Sequence, residues 1–275
     1  MPLNPDLYNG DAHVVKQVPY GPGCWLIRLA VPIRTPIVAG QFAHVLVDND
    51  LTSPLLRRPF SFWDVQYHKG ALTNVDLLYT VVGHGTALLE KRKPLDTVGF
   101  LGPVGRGFTL RRDKRTYVFV AGGVGIVPFY LFAKQIRAAK HKARILLLFG
   151  ARTKHALWGI DDFEKLGVET LAATDDGSRG FKGFVTDLMK SQLAKVDRRD
   201  VMIYTCGPDA MMKRVIETAQ RESLPCEASL ERRMGCALGA CGACVTKVRD
   251  GDDWRYSRIC MEGPTYDAHE LVLDA

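Results

Sequence analysis

Long apolar runs are missing from this sequence, and none approaches the length needed to span a bilayer. The first residues, MPLNPDLYNGD, also lack the basic start and the apolar stretch of a secretory signal. These absences exclude a membrane-spanning chain and favour a cytoplasmic protein, in which thiols stay reduced. The seven cysteines are therefore expected to serve a metal or redox site instead of disulfide bonds.

Concentrated positive charge is also missing, although the formal net charge is +7. The basic residues are scattered, and several of them form pairs at positions 57–58, 111–112, 198–199 and 232–233. A protein that reads nucleic acid gathers such charge in one patch or stripe. We therefore expect no nucleic-acid partner and a solvated basic surface, with a docking face for an acidic partner subunit as the alternative.

The N-terminal part of the chain has the pattern of antiparallel β-structure. With 275 residues, the chain is long enough for two compact domains and a small appendage. Apolar and β-branched stretches at residues 24–31, 42–47 and 75–82 are separated by Gly, Pro and Asn turns, and one short helical stretch, 87–93, interrupts them. Residues 1–111 are therefore expected to form a small antiparallel barrel or sandwich.

Strands and helices alternate beyond residue 111. The sequence predicts strands at 117–121, 145–149, 168–172 and 201–205, and helices at 129–139, 184–193 and 209–222. This alternation is typical of a parallel sheet with helices on both faces, so residues 112–223 are expected to form a doubly wound α/β domain. The pattern breaks after Pro225. Residues 224–275 are expected to form a small Gly-, Ala- and Cys-rich segment with one hairpin.

Four cysteines near the C-terminus have the spacing of an iron–sulfur site. Cys236, Cys241 and Cys244 follow C-x4-C-x2-C, the front half of the plant-type 2Fe-2S ferredoxin pattern. Strands predicted at 244–249 and 254–259 form a hairpin that returns the chain to its start, so Cys260 would lie beside Cys244. Most residues between the first three cysteines are small, which lets the backbone wrap closely around a cluster.

Two other interpretations of these cysteines remain. A structural zinc site more often shows two short C-x2-C pairs, whereas this sequence has one pair, an x4 step and a distant fourth cysteine. Four unrelated buried thiols are disfavoured by the spacing. The sequence therefore favours a 2Fe-2S cluster over zinc. Cys24 and Cys226 lie outside the pattern and are expected to be small core residues.

Two motifs in the β-rich part have the chemistry of a phosphate-containing cofactor site. In LRRPFSF, residues 56–62, the planar fork of Arg58 suits a diphosphate. In LYTVVGHGT, residues 78–86, Gly85 and Thr86 stand at the start of a short helix, where free N–H groups attract phosphate. In this order the motifs resemble the flavin-binding domain of the ferredoxin reductase superfamily. The resemblance implies an antiparallel flavin-binding barrel that holds FAD through Arg58, Pro59, Phe60, Ser61, Leu78, Tyr79, Thr80, Gly85 and Thr86.

One of these positions departs from the superfamily. Its reductases commonly place Tyr where this chain has Phe60. We therefore expect the face of the flavin to be covered differently here.

Three segments in the α/β part have the pattern of a dinucleotide site. AGGVGIVPF, residues 121–129, follows a predicted strand and precedes a helix, so its glycines let a pyrophosphate approach the helix N-terminus. TDDG (174–177) and TCGP (205–208) follow later strands, where ligands gather in parallel sheets. The order resembles the pyridine-nucleotide domain of the same superfamily. The resemblance implies a nicotinamide near Cys206 and a cofactor site formed by Gly122, Gly123, Gly125, Asp175, Cys206, Gly207 and Pro208.

The choice of coenzyme depends on nearby charges. Arg152 and Lys154, in GARTK, would attract the 2′-phosphate of NADP, whereas Asp175 and Asp176 would oppose it if they lie close. We favour NAD.

All three parts, in this order, resemble the electron transfer subunits of NAD-dependent dihydroorotate dehydrogenase B over essentially the whole chain. The most specific stretches are SLERRMGCALGACGAC (229–244) and RICMEGP (258–264). The resemblance implies an oxidoreductase subunit of pyrimidine (UMP) biosynthesis that binds FAD, NAD and a 2Fe-2S cluster held by the four cysteines. Dihydroorotate is oxidised on a separate FMN-containing catalytic subunit, in a heterotetramer of two subunits of each kind, so no catalytic residue is expected in this chain.

Two alternatives remain. Subunits of hydrogenase, sulfide reductase and ferredoxin:NADP transhydrogenase complexes resemble this chain in their flavin and nucleotide segments, although LERRM before the cysteines favours the dihydroorotate family. A non-catalytic, zinc-stabilised binding module or redox sensor would explain the cysteines. It would leave the Gly-rich loops and the Arg58–Ser61 stretch unexplained.

Overall fold

The first six strands of the chain close into an antiparallel barrel. The computed structural model describes residues 7–48 and 54–273. Around the barrel the strands follow the order β1-β2-β5-β4-β3-β6, which confirms the predicted antiparallel architecture. The elements are β1 (Tyr8–Gly21), β2 (Cys24–Ala30), β3 (Phe42–Leu46), β4 (Arg58–His68), β5 (Ala71–Thr80), helix α1 (His84–Leu89) and β6 (Thr97–Val104). Helix α1 begins three residues before the predicted stretch, so Gly85 and Thr86 lie in its first turn.

A seven-stranded sheet follows, with the order β10-β9-β8-β7-β11-β12-β15. All its neighbouring strands are parallel except the last pair, β12 and β15. The strands are β7 (Thr116–Gly122), β8 (Arg144–Ala151), β9 (Glu169–Thr174), β10 (Phe181–Lys182), β11 (Val201–Cys206), β12 (Cys226–Ser229) and β15 (Thr265–Asp267). The helices are α2 (Val127–Ala138), α3 (Ile160–Lys165), α4 (Val185–Leu193) and α5 (Asp209–Arg221).

The sheet is covered on both faces, as a doubly wound fold requires. Tyr117 and Phe119 of β7 belong to one apolar cluster with Phe129 of α2. The alternating residues Val118 and Val120 belong to a second cluster with α4 and α5. Successive side chains of a strand point to opposite faces, so one continuous apolar run supplies both cores.

The cysteine-bearing segment shares this sheet. It contains the hairpin β13 (Val245–Asp250) and β14 (Asp253–Arg258), followed by the short helix α6 (Ile259–Glu262). Strand β12 pairs with β11, and β15 pairs with β12. The expected boundary between residues 223 and 224 therefore separates two stretches of chain that contribute strands to the same sheet.

The barrel and the sheet are joined through α2. The ring of Trp63 stacks on Tyr130 with the centroids 4.3 Å apart and the planes 9° apart. Lys134 Nζ lies 2.5 Å from Asp64 Oδ1. Gln135 accepts a hydrogen bond from the Ala39 N–H and donates one to a barrel carbonyl. The helices of the described residues are all too short or too polar to span a lipid bilayer.

Candidate functional site

A narrow cleft opens where the barrel, the sheet and the cysteine-bearing segment meet. Phe42 and Ser61 are paired across β3 and β4, so both side chains project from the same face of the barrel into this cleft. Cys206 reaches it from the end of β11. The cleft is lined by Phe42, Pro59, Ser61, Cys206, Ser229, Leu230, Glu231, Arg232, Met234 and Pro264. The structure thus brings predicted flavin residues and the predicted nicotinamide residue to one place.

Arg58 lies against the first turn of helix α1. A Cβ on Gly85 would stand 2.5 Å from Nε of Arg58, so the guanidinium crosses the turn where glycine leaves room. Thr86 Oγ1 accepts the N–H groups of Val82 at 2.9 Å and Gly83 at 3.2 Å, which holds the turn in shape. First-turn N–H groups and a guanidinium together suit a diphosphate.

Phe60 points into the barrel. It is 8% exposed, and its ring meets Tyr79 edge-on at a centroid distance of 5.7 Å. The Tyr79 hydroxyl accepts a hydrogen bond from Gln17 at 2.7 Å. Leu78 and Tyr79 are buried near the end of β5, followed by Thr80. Because their side chains are buried, Phe60, Leu78 and Tyr79 can contact a cofactor at the barrel rim through their backbone atoms. Thr80 can also contact it through its side chain.

A larger cavity of about 480 Å³ lies at the carboxyl end of the sheet. It gathers four of the predicted nucleotide residues, Gly122, Gly123, Asp175 and Pro208. Arg152, which was expected to influence the choice of coenzyme, also lines it. The other lining residues were not predicted from the sequence: Gly150, Ala151, Ala156, Phe184, Val185, Thr186, Ala210, Met211 and Arg214.

The unpredicted residues have ligand-binding chemistry. The guanidinium carbon of Arg214 lies 5.0 Å from the centroid of the Phe184 ring. Thr186 is buried, and its hydroxyl oxygen has no hydrogen-bond partner within the described part of the chain. Such an oxygen in a cavity wall suits a polar ligand. Phe184 and Thr186 come two and four residues after β10, at the carboxyl end of the sheet, where ligands of parallel sheets gather. No strand was predicted at β10, so nothing in the sequence marked them as ligand-binding residues.

Two other predicted nucleotide residues, Gly125 and Cys206, do not line this cavity but pack against each other. The carbonyl oxygen of Cys206 leaves no room for a side chain at position 125. Burial raises the pKa of the Cys206 thiol, and the charge of Glu231 adds to this effect. The thiol is therefore neutral at physiological pH.

The acidic residues of the TDDG motif lie beside Arg152. The Asp175 N–H donates to the Ala151 carbonyl at 3.1 Å, and the Asp176 N–H donates to the Arg152 carbonyl at 3.3 Å. These bonds place the backbones of both aspartates beside Arg152. Arg152 and Asp175 also line the same cavity.

The cysteine loop directs backbone N–H groups at sulfur. Leu238 and Cys241 donate to Cys236 Sγ at 3.3 and 3.4 Å. Gly239 and Gly242 adopt φ values of +77° and +65°, which let the loop turn tightly. Burial opposes ionisation of Cys236, but these hydrogen bonds outweigh it and lower its pKa to about 7. The loop is thus shaped to stabilise thiolate.

The fourth cysteine lies beside the third. The N–H of Ile259 donates to the carbonyl of Cys244 at 2.8 Å at the base of the predicted hairpin. Burial, followed by a hydrogen bond with the Cys244 thiol, raises the pKa of Cys260 to about 12. Cys236 hydrogen-bonds with Cys241 in the same way, so the thiols form two adjacent pairs. Within residues 7–48 and 54–273, no three His, Cys, Asp or Glu side chains converge as a preformed metal site.

Similar proteins carry the same combination of parts. Residues 231–272 match the iron–sulfur cluster binding domain of dihydroorotate dehydrogenase B, and residues 119–217 match the oxidoreductase NAD-binding domain. The dihydroorotate dehydrogenase B (NAD(+)) electron transfer subunit of Desulforamulus reducens is 38% identical over 265 residues, which cover 96% of this chain and 98% of that protein. The protein of the same name from Geobacillus kaustophilus is 40% identical over 90% of each chain.

Solved structures show the same fold. An NADH-dependent reduced ferredoxin-NADP oxidoreductase superposes with a TM-score of 0.79 at 27% identity, covering 95% of this chain and 89% of that one. A ferredoxin NADP+ reductase from Neisseria gonorrhoeae with bound FAD and NADP superposes with a TM-score of 0.63 at 18% identity, covering 78% of this chain and 91% of that one.

The fold and its sites define an oxidoreductase subunit of the ferredoxin reductase type, with FAD, a 2Fe-2S cluster and NAD as its cofactors. This excludes the zinc-stabilised binding module. The chain belongs to the family of dihydroorotate dehydrogenase B (NAD(+)) electron transfer subunits.

Proposed function

We propose that this chain takes electrons from the FMN of a partner dihydroorotate dehydrogenase subunit and delivers them to NAD during pyrimidine (UMP) synthesis. One observation carries the proposal. The cleft that contains Ser61 has Cys206, from the nucleotide end of the sheet, in one wall and Met234 and Pro264, from the cysteine-bearing segment, in another. A flavin bound there would stand between the nucleotide and the cluster.

In this proposal the barrel holds FAD. Arg58 and the first turn of α1 bind the diphosphate, and Ser61 directs its hydroxyl to the isoalloxazine edge. The backbone of Leu78 and Tyr79 supports the remaining part of the FAD. Thr86 keeps the turn in place through the two N–H groups that its hydroxyl accepts.

The cavity at the end of the sheet holds NAD. Gly122 and Gly123 let the pyrophosphate approach the start of α2, and Gly125 lets the Cys206 backbone pass beneath. Asp175 faces the adenosine ribose, with Phe184 and Arg214 on the opposite side. Cys206, followed by Gly207 and Pro208, places the nicotinamide towards the flavin cleft.

Cys236, Cys241, Cys244 and Cys260 hold the cluster. The amide donors of Leu238 and Cys241 stabilise the negative charge on sulfur that an iron ligand carries. A 2Fe-2S cluster carries electrons singly, whereas a flavin exchanges one electron with it and two with a nicotinamide. This chain therefore needs both the cluster and the flavin to pass electrons that arrive singly to NAD, which accepts them in pairs.

The cluster end of the molecule is where we place the partner. Cys241 is exposed, as are Gly242 and Ala243 beside it. We propose a heterotetramer of two catalytic and two electron transfer subunits. All seven cysteines are free, which supports work in the reducing cytoplasm. The functional units within the chain are residues 1–111 for FAD, 112–223 for NAD and 224–275 for the cluster.

The decisive experiment is co-purification with a dihydroorotate dehydrogenase catalytic subunit, followed by cofactor analysis and a dihydroorotate:NAD assay. The chain alone should oxidise NADH with an artificial acceptor and should not turn over dihydroorotate. Substantial dihydroorotate oxidation by the purified chain, free of any partner, would overturn the proposal. The proposed role in pyrimidine synthesis would be overturned if the chain formed an active complex with a hydrogenase or sulfide reductase subunit and formed no active complex with a dihydroorotate dehydrogenase catalytic subunit.

A further inference from the structure

One arginine ties the cysteine loop to the end of the hairpin. Arg258, the last residue of β14, donates from Nη1 to the carbonyl oxygen of Gly239 at 3.1 Å. Gly239 lies in the loop between Cys236 and Cys241. Beyond Arg258 the chain enters α6, which contains Cys260. The bond therefore joins the loop that carries the first two cysteines to the segment that carries the fourth.

The loop approaches this arginine closely because position 239 has no side chain. A Cβ there would stand 3.4 Å from Arg258 Nη1 and 2.7 Å from Cγ of Met261 in α6. The φ of +77° at Gly239 lies in the region that favours glycine. The loop is therefore packed directly against α6 and the end of β14, at the position that the guanidinium holds.

The carbonyl that Arg258 holds belongs to the same peptide unit as the N–H of Ala240. This peptide is trans, and the C=O and N–H of a trans peptide point in opposite directions. The Ala240 N–H hydrogen-bonds to the sulfur of Cys236. A hydrogen bond at the carbonyl also polarises the peptide and strengthens its N–H as a donor. Holding the Gly239 carbonyl therefore fixes an amide donor on a proposed iron ligand.

Arg258 is itself held by Glu262. Oε1 of Glu262 accepts hydrogen bonds from Nε and from the backbone N–H of Arg258, both at 3.3 Å. Oε2 accepts one from Nη1 of Arg255 at 2.8 Å. In the described part of the chain, the hydrogen bonds of Arg255 go to Glu262 and to the Tyr256 carbonyl. The two arginines therefore share one carboxylate, and Arg258 is the one that reaches the cysteine loop.

We propose that Arg258 is a positioning residue for the 2Fe-2S cluster, which holds the Gly239–Ala240 peptide with its N–H towards Cys236 and thereby raises the reduction potential of the cluster. The inference rests on the proposed cluster ligands. A reduced cluster carries one more negative charge than an oxidised one, so a donor at sulfur stabilises the reduced form more. The side chain of Arg258 is 40% exposed and paired with Glu262, so we assign the effect to the peptide and not to the charge.

The test uses the full chain with its cofactors and follows the low-temperature EPR signal of the reduced cluster during a redox titration. Arg258→Met removes the donor and keeps a long side chain. The ratio of reduced to oxidised cluster at a given potential should fall about tenfold, a shift of about 59 mV to lower midpoint potential. Arg258→Lys, which can donate to the same carbonyl, should stay within about threefold of the wild type.

Arg255→Met is the matched control, because it removes the same charge beside Glu262 and leaves the Gly239 carbonyl bonded. It should also stay within about threefold of the wild type. An equal shift in Arg255→Met and Arg258→Met would overturn the inference, since charge alone would then set the potential. An unshifted potential in Arg258→Met, with full iron and sulfide content, would overturn it as well.

Arg258→Gln takes the place of the methionine variant if that protein does not fold. Loss of the cluster from both variants, with its retention in Arg258→Lys and Arg255→Met, would support the positioning role. A wild-type chain that binds no iron would overturn the proposed ligands themselves. That failure is distinct from a normal wild-type cluster whose potential does not respond to Arg258.

Discussion

The carbonyl oxygen of Cys206 stands 2.2 Å from the position that a Cβ on Gly125 would occupy. The carbonyl belongs to the end of β11 and is fixed by the sheet, so it cannot turn aside as a flexible side chain could. The glycine-rich turn after β7 and the TCGP turn after β11 are therefore packed as one unit, although they are far apart in the sequence.

A methyl group at this contact should destabilise the whole domain. We expect Gly125→Ala to lower the free energy of unfolding by about 2–3 kcal/mol, because strand and turn must separate to admit it. Chemical denaturation measures the change. Gly83→Ala is the control, since no heavy atom of the residues described by the structure meets a Cβ there within 4 Å, and it should stay within about 0.5 kcal/mol of the wild type. Equal stability of the two variants would contradict the packing described here.

Gly85→Ala should separate FAD binding from folding. The atoms that a Cβ would meet belong to the guanidinium of Arg58, which can swing away. Stability should therefore change by less than about 1 kcal/mol. FAD affinity should fall by about tenfold, because the displaced guanidinium loses its place at the diphosphate. Titration of flavin fluorescence measures the affinity, with Gly83→Ala again as control. Unchanged affinity would remove Arg58 from the proposed site.

Cys241→Ser should remove the cluster and leave the flavin working. Without one thiolate ligand the iron and sulfide content should fall, and electron exchange with the partner should be lost. NADH should still reduce the flavin at close to the wild-type rate in stopped-flow absorption. Cys226→Ala, a buried cysteine outside the loop, should keep the cluster. Loss of flavin reduction in Cys241→Ser, with FAD still bound, would argue against the proposed order of carriers.

Asp175→Asn should relax the preference for NAD. Removing one carboxylate from the cavity that Arg152 also lines lowers the repulsion of a 2′-phosphate, so the ratio of kcat/KM for NADH over NADPH should fall by about tenfold. Steady-state reduction of an artificial acceptor measures both constants. Asp187→Asn changes the same charge on the surface of α4, where Asp187 pairs with Lys190 at 3.6 Å, and should leave the ratio unchanged. An unchanged ratio in Asp175→Asn would show that this carboxylate does not select the coenzyme.

Glu227→Gln should stabilise the protein at neutral pH. Burial, and to a smaller extent the charge of Asp267, raises the pKa of Glu227 above its ordinary value of 4.5. Stability that this carboxyl contributes when protonated is present below pH 4.5 and is lost as the pH rises through the raised pKa. The amide can still accept the Thr109 N–H, a bond of 2.9 Å in the wild type.

The gain should be about 1 kcal/mol at pH 7 and should vanish below pH 4.5. Denaturant unfolding at several pH values tests it, with the exposed Glu217→Gln as control. A gain that does not depend on pH would show that the charge is not its source.

Much of the fold was readable because apolar runs mark buried strands. β7, β8 and β11 contain continuous apolar stretches, which only a sheet covered on both faces produces. β1 was not predicted, since its outer positions face solvent and include Val15 and Val18, which blurs the alternation. β12 has only four residues, one of them Glu227, and becomes a strand through its pairing with β11.

The residues of the proposed cofactor sites also divide into those that could be predicted from the sequence and those that could not. Arg58, Gly123 and the first three cysteines lie in short local motifs, so their chemistry was visible in the sequence, and Cys260 was found through the predicted hairpin. Phe184 and Arg214 come from different elements and meet only after folding.

The position of Pro264 means that the cluster-binding segment cannot be removed from this protein without changing the flavin cleft. This residue touches the flavin cleft, and its neighbour Gly263 accepts a hydrogen bond from the Arg106 N–H of the barrel-closing turn. A shortened chain that ends at residue 223 would lose Met234, Pro264 and two strands of the sheet at once. The cluster segment is thus part of the architecture of this reductase, and its removal would take away one wall of the flavin cleft together with an edge of the sheet.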